Sequence, residues 1–214
     1  MTPESLEFPH GVRFPRENEL PGDTSEAMAR IAAANVTTGY VIEEAIGQHF
    51  KTYIEANVHA SKVFDTFRKL VVALLPEVAS PLLGLKGEKP TFGPYTDREY
   101  AIAVFEPYIE PLQHDGFLEF GILHQSDFAF EEVFVTSPKY FKIWTNKGNI
   151  AESILQQAGI PKCETLEFID NYFMVSESWN PDGTAAWPTV FYPLKEKIER
   201  LPEIPIIDDE HEGP

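Results

Sequence analysis

Three apolar runs joined by two very short polar links constrain this chain more than any other feature. FLEFGILH (117–124), FAFEEVFV (128–135) and KYFKIW (139–144) are separated by only QSD and TSP. Parallel neighbours need a crossover of a dozen residues or more, so links this short admit only antiparallel strands. The second half of the chain is therefore expected to be built on an antiparallel meander.

Upstream, the pattern reads mainly as helix. Asp23 with Glu26 offers a capping box for a first helix. A second is expected after Thr38, where Ile42, Ala45, Ile46, His49, Phe50, Tyr53, Ile54 and Asn57 recur at steps of three and four. A third presents Phe64, Phe67, Leu70, Val71, Leu74 and Leu75 before Pro76 stops it. Residues 77–115 support no single assignment: 82–85 suits a short strand, and 96–105 suits either a capped helix or a strand. Downstream, Asn149 and Glu152 cap a short helix, 165–179 reads as a long β segment, and Asn180-Pro-Asp-Gly183 implies a hairpin into Thr184–Trp187. Pro193 is placed at the first turn of a terminal helix. The expectation is an α+β fold, with N-terminal helices packed on a C-terminal antiparallel β-meander. It divides into an extended Pro-containing arm (1–23), a single domain (24–201) and an acidic Pro-rich tail (202–214) that is loose. The arm carries Leu6, Phe8, Val12 and Phe14, which a free tail rarely keeps, so part of it should lie on the body or on a partner.

The meander supplies the candidate residues. If 125–127 is a three-residue link, His124 faces Phe128, Ile122 faces Phe130, Phe120 faces Glu132 and Leu118 faces Phe134. One face then gathers these apolar side chains around the carboxylate of Glu132, and if Val135 pairs with Tyr140 across the next turn, Phe141 and Ile143 join it. Such a group has a raised pKa unless a cation or hydrogen-bond donors hold it, which is how general acids and bases look. Glu132, with His124 or Asp127 beside it at one end of the sheet, is the catalytic candidate. A slip of one residue would instead turn Glu132 to water and Glu131 inward. On the same register Trp144 shares the opposite face with Glu119, Glu131, Tyr140 and Lys142. Aromatic rings set among carboxylates suit an interface for a basic partner, and Glu119, Glu131, Trp144 and Tyr140 are the binding candidates.

Charge favours the binding reading. The 214 residues hold 34 acidic against 17 basic side chains, a formal net charge of −17. That field repels phosphate backbones and anionic lipid surfaces, so neither nucleic acid nor membrane is an expected partner. The 16 Phe, 8 Tyr and 3 Trp exclude an ordinary disordered chain. Cys163 is the only cysteine, so no internal disulfide or CxxC site can form. No HxH, HxxxH or HExxH spacing occurs, and His114 and His124 would stand roughly 30 Å apart on an extended strand; no metal is expected. GxSxG, phosphate-loop, Rossmann, EF-hand and kinase signatures are also absent, and no cofactor is expected. The start, MTPESLEFPHG, lacks the basic and apolar regions of a signal peptide, and a cytoplasmic location is expected.

In its acidic charge, small size and lack of catalytic signatures the chain is similar to bacterial immunity proteins, which neutralise cytotoxic partners. The likeness is one of bulk properties; no motif carries it. The leading expectation is a non-enzymatic interaction module, of immunity or regulatory type, for a basic partner. The alternatives are a small-molecule-binding protein or hydrolase using a semi-buried carboxylate on the sheet, and a structural subunit whose N-terminal arm wraps a neighbour.

Overall fold

The computed structural model of the protein describes residues 5–22, 24–45, 49–183 and 186–205. In chain order the strands and helices are β1 (Val12–Arg13), α1 (Ser25–Ala32), β2 (Gly39–Glu44), β3 (Thr52–Asn57), α2 (Val63–Leu74), β4 (Val78–Leu85), β5 (Thr91–Phe92), β6 (Thr96–Asp97), α3 (Arg98–Ala103), α4 (Ile109–His114), β7 (Leu118–Gln125), β8 (Phe130–Val135), β9 (Tyr140–Thr145), α5 (Gly148–Gln157), β10 (Val175–Ser176) and α6 (Ala186–Glu199). The large sheet runs β2-β3-β9-β8-β7-β4-β5, with β6 paired to β4, and every pairing is antiparallel.

The fold is mixed α+β, but the expected order of helices first and meander second is wrong. Helices and strands alternate along the chain, and the sheet recruits β2, β3 and β4 from the half expected to be helical. Residues 39–57 mislead because Ile42, Ile46, Phe50 and Ile54 are four apart, a spacing that fits a two-residue period as well as a helical one. Burial beside β9 decides for strand: Ile54 and Ala56 are fully buried, paired with Ile143 and Phe141. Gly39 also needs its bare backbone, since a Cβ there would stand 2.6 Å from the Cys163 sulfur. Ile46 lies outside the described residues, as do Asp23, Thr184 and Ala185. Of the expected long strand at 165–179 only β10 forms. Trp187 falls in the first turn of α6, so the helix starts well before Pro193, which sits in its interior.

One face of the sheet carries the core. Leu83, Phe120, Val135 and Phe141 are consecutive cross-strand partners, as are Ile122, Val133 and Ile143, and all are buried. Against them lies α2, whose Phe64, Phe67, Leu70, Val71 and Leu74 recur at helical spacing and are buried. Phe67 meets Phe120 at 4.9 Å between ring centroids and Phe105 at 6.1 Å; burying one such ring contributes about 2–3 kcal/mol. The end of α2 is capped from elsewhere. Arg98 Nη1 donates to the carbonyls of Val72 (3.0 Å) and Leu75 (2.7 Å), and Lys147 Nζ to that of Leu74 (2.5 Å).

The N-terminal arm lies on the body. β1 pairs with β10, and the rings of Phe8, Phe14 and Tyr172 form an edge-to-face chain. Gly11 and Gly116 pack backbone to backbone: a Cβ on Gly11 would sit 2.3 Å from the Glu177 carbonyl oxygen and 2.4 Å from the Gly116 nitrogen. The tail from residue 206 lies outside the described residues.

Candidate functional site

The meander forms, but its register differs from the expected one by an odd number of residues. The β7–β8 loop is Ser126–Ala129, four residues rather than three, and Gln125 faces Phe130. Leu123 therefore faces Glu132, and His124 faces Glu131. Because successive side chains point to opposite faces, an odd shift exchanges the two faces of β8. Val133 and Val135 take the core places expected for Phe130, Glu132 and Phe134. Phe128 is left at the loop tip, 81% exposed.

The exchange moves Glu132 to the second face of the sheet, and two rows define that face. Leu123, Glu132, Trp144, Tyr53 and Glu43 stand opposite one another across β7, β8, β9, β3 and β2; Gly121, Phe134, Lys142, Glu55 and Val41 form the next row. At one end, residues 163–171 roof the row Gly39, Asn57 and Tyr140. The Asn57 amide donates to the Glu167 carbonyl (2.8 Å), and Tyr140 donates its hydroxyl to Asp170 Oδ2 (2.9 Å) while its ring meets Phe168 at 4.6 Å. At the β4 edge Phe92 pairs with Leu82. Between these ends no helix of the described residues crosses the face. Glu132, Phe134, Trp144, Tyr53 and Phe130 are all half-buried, and none belongs to the buried cluster beneath the helices.

The aromatic rings on this face form a connected set. Trp144 meets Tyr53 at 5.2 Å and Phe130 at 6.3 Å, and Phe130 meets Phe50 at 6.2 Å. The Phe134 ring closes over Gly121, with its Cδ2 3.2 Å from where a Cβ would stand. Among the rings sit the carboxylates of Glu43, Glu55, Glu119 and Glu132, with Lys142 between Glu55 and Phe134 in the second row. That lysine is engaged: its Nζ lies 3.9 Å from Glu55 Oε1 and 5.6 Å from the centre of the Tyr140 ring. Glu119 Oε1 accepts from the Ser137 amide at 3.2 Å. Glu132 has no hydrogen bond or ion pair among the described residues, and burial alone pushes its carboxyl up from 4.5 to about 7. Desolvation and contact with Glu55 raise the Tyr53 phenol above its ordinary range.

The other candidates scatter. Glu131 faces the helical layer and is 5% exposed; its Oε1 accepts from the Asn146 amide at 3.0 Å, and its buried Oε2 has no partner among the described residues. It does not share a face with Trp144. His124 also lies on the helical side, its Nδ1 2.8 Å from the Val78 carbonyl and its ring edge-on to Tyr95. A carbonyl only accepts, so that nitrogen carries the proton. Asp127 is exposed in the β7–β8 loop. The expected constellation of Glu132 with His124 or Asp127 is thus not assembled: His124 points to the opposite face, and Asp127 stands off the sheet. Of the binding candidates, Glu119, Trp144 and Tyr140 do share the open face, though the roof covers Tyr140.

Two features at the far end of the sheet escaped the sequence reading. Asp115 is fully buried and accepts from the Phe117 amide (2.9 Å), the Ser178 hydroxyl (2.7 Å) and the Trp179 amide (3.0 Å). Beside it, Lys139 adopts φ 69° in the β8–β9 turn and buries its ammonium, which donates to the Leu118 carbonyl. Burial pushes this amine down to about 7, against the opposing pull of Asp115 and Glu119. His114 stacks on His10 at 4.3 Å, and burial lowers its pKa. These groups tie the arm and the 176–179 segment to the sheet. No group of three or more His, Cys, Asp or Glu among the described residues could hold a metal ion, and no helix among them is long and apolar enough to cross a membrane.

Comparison with protein-family models, with curated proteins and with solved structures finds no match to this chain.

Proposed function

We propose that this protein is a non-enzymatic interaction module, of immunity or regulatory type, that docks a basic protein through the open face of its sheet. The observation that carries the reading is the joint placement of half-buried rings (Trp144, Tyr53, Phe130, Phe134) and carboxylates (Glu43, Glu55, Glu132) on a face without a helical layer. Aromatic anchors inside a charged surround supply binding energy, while the net charge of −17 steers a cationic partner and disfavours anionic ones. The test is retention of lysate proteins by the tagged chain at low salt, in parallel with Trp144→Ala and Glu55→Lys. The reading expects a basic protein retained by the wild type, released by high salt and lost in both variants. Retention unchanged in both variants would overturn it.

One feature favours the alternative of a small-molecule-binding protein or hydrolase: burial pushes the Glu132 carboxyl up to about 7, a range that suits a general acid or base. It lacks an accompanying base, nucleophile or enclosed cavity among the described residues, so the interaction reading ranks first.

A further inference from the structure

Glu132 differs from the other carboxylates on the open face. Glu55 has Lys142, Glu119 has the Ser137 amide, and Glu43 lies exposed at the β2 edge. Glu132 sits in the middle of the sheet, flanked by Leu123 and Trp144 across the strands and by Phe130 and Phe134 two residues away along β8. Lys142, two residues from Trp144 along β9, is turned toward Glu55 and Tyr140. A half-buried carboxylate beside an indole, with neither donor nor counter-ion, is an arrangement that a cation from outside would complete: the charge meets the carboxylate and the cation lies against the ring.

Resting on the interaction reading, we propose that the open face holds an arginine side chain of the partner, its guanidinium stacked on Trp144 and hydrogen-bonded to the carboxylate of Glu132. Arginine fits better than lysine for two reasons. A planar guanidinium can stack on an indole while its edge meets a carboxylate, and it is more weakly hydrated, so it enters a half-dry site at lower cost. The rows of the sheet supply the geometry, because Glu132 and Trp144 are direct cross-strand partners with side chains on the same face.

The arrangement has a proton signature. Free Glu132 holds its proton up to about pH 7, and a guanidinium against it favours the ionised form. Binding then releases a proton below neutrality, and affinity rises with pH until the free carboxyl is already ionised.

The experiment is calorimetric titration of the full chain with a hexa-arginine peptide at low ionic strength. It is run at about pH 6 and about pH 8, in two buffers of different ionisation enthalpy. The expected result is binding to the wild type, proton release at the lower pH that vanishes at the higher, and weaker binding of a hexa-lysine peptide. Glu132→Gln should weaken hexa-arginine roughly tenfold and abolish the proton release, whereas Glu106→Gln, at an exposed carboxylate between α3 and α4 and off the sheet face, should change affinity by less than about threefold. Wild-type binding without proton release, or unchanged affinity in Glu132→Gln, overturns the Glu132 site but leaves the interaction reading standing, provided Trp144→Ala weakens binding. No hexa-arginine binding at all, or binding insensitive to both Trp144→Ala and Glu55→Lys, overturns the interaction reading itself. The proton count is read on the wild type, so the test of the Glu132 site does not depend on any variant folding.

Discussion

Glu132→Gln should make the protein more stable in mild alkali and nearly unchanged in mild acid. Burial holds the Glu132 carboxyl at about 7 in the folded chain against 4.5 without it. Between those values the folded state keeps a proton that the unfolded state has lost. Stability therefore falls as pH rises through this window and is level above it. At ~1.4 kcal/mol per tenfold, the interval amounts to about 3 kcal/mol, and partial contact with water reduces this to ~2 kcal/mol. Glutamine keeps the shape and cannot ionise, so it escapes the loss. Urea unfolding near pH 5 should separate the two proteins by less than ~1 kcal/mol, and near pH 8 the variant should be ahead by ~2 kcal/mol. An equal difference at both pH values, or a less stable variant near pH 8, would refute the description of Glu132 as a desolvated carboxylate without a counter-ion.

Gly11→Ala should dislodge the arm, because its Cβ would overlap the Glu177 carbonyl and the Gly116 nitrogen. Limited proteolysis should cut near residue 11 in the variant and spare the wild type. For Lys139→Met, which removes a fully buried amine, the stability difference from wild type should shift in the variant's favour as pH falls from about 9 to about 6, where the wild-type amine takes up its proton; a pH-independent difference in urea would contradict the burial of a titrating amine. Phe67→Ala should cost about 3–5 kcal/mol in the same assay. Phe128→Ser should cost less than ~0.5 kcal/mol, since that ring is 81% exposed, whereas a three-residue β7–β8 link would make Phe128 a core residue.

The three central strands were legible because their links are too short for any but antiparallel pairing. The face each residue takes was not, since it depends on whether the β7–β8 loop holds three residues or four, and one residue reverses every side chain of β8. Glu131 and Glu132 are adjacent and chemically alike; only the register separates the buried one from the one beside Trp144. Tyr53 and Phe50 were missed as surface aromatics because 39–57 matches a helical spacing, and what makes it a hairpin is the contact of Ile54 and Ala56 with β9, ninety residues away. Trp144, Glu119 and Tyr140 share a face as expected because two odd shifts cancel between β7 and β9: the one at β7–β8, and a slip of one residue at β8–β9, where Val135 faces Phe141 and not Tyr140. Asp115 and Lys139 carried no local signal, because a buried lysine and aspartate owe their roles to chain segments distant in sequence.

The measurement that tests the central claim most directly is a two-dimensional NMR titration of the labelled protein with the hexa-arginine peptide, read at the indole N–H signals of Trp144, Trp179 and Trp187. Binding on the open face predicts that the Trp144 signal moves, together with the amides of Leu123 and Phe134, while Trp179 and Trp187 stay in place. Shifts confined to the other two indoles or to α2 and α5, with Trp144 unmoved, would contradict it.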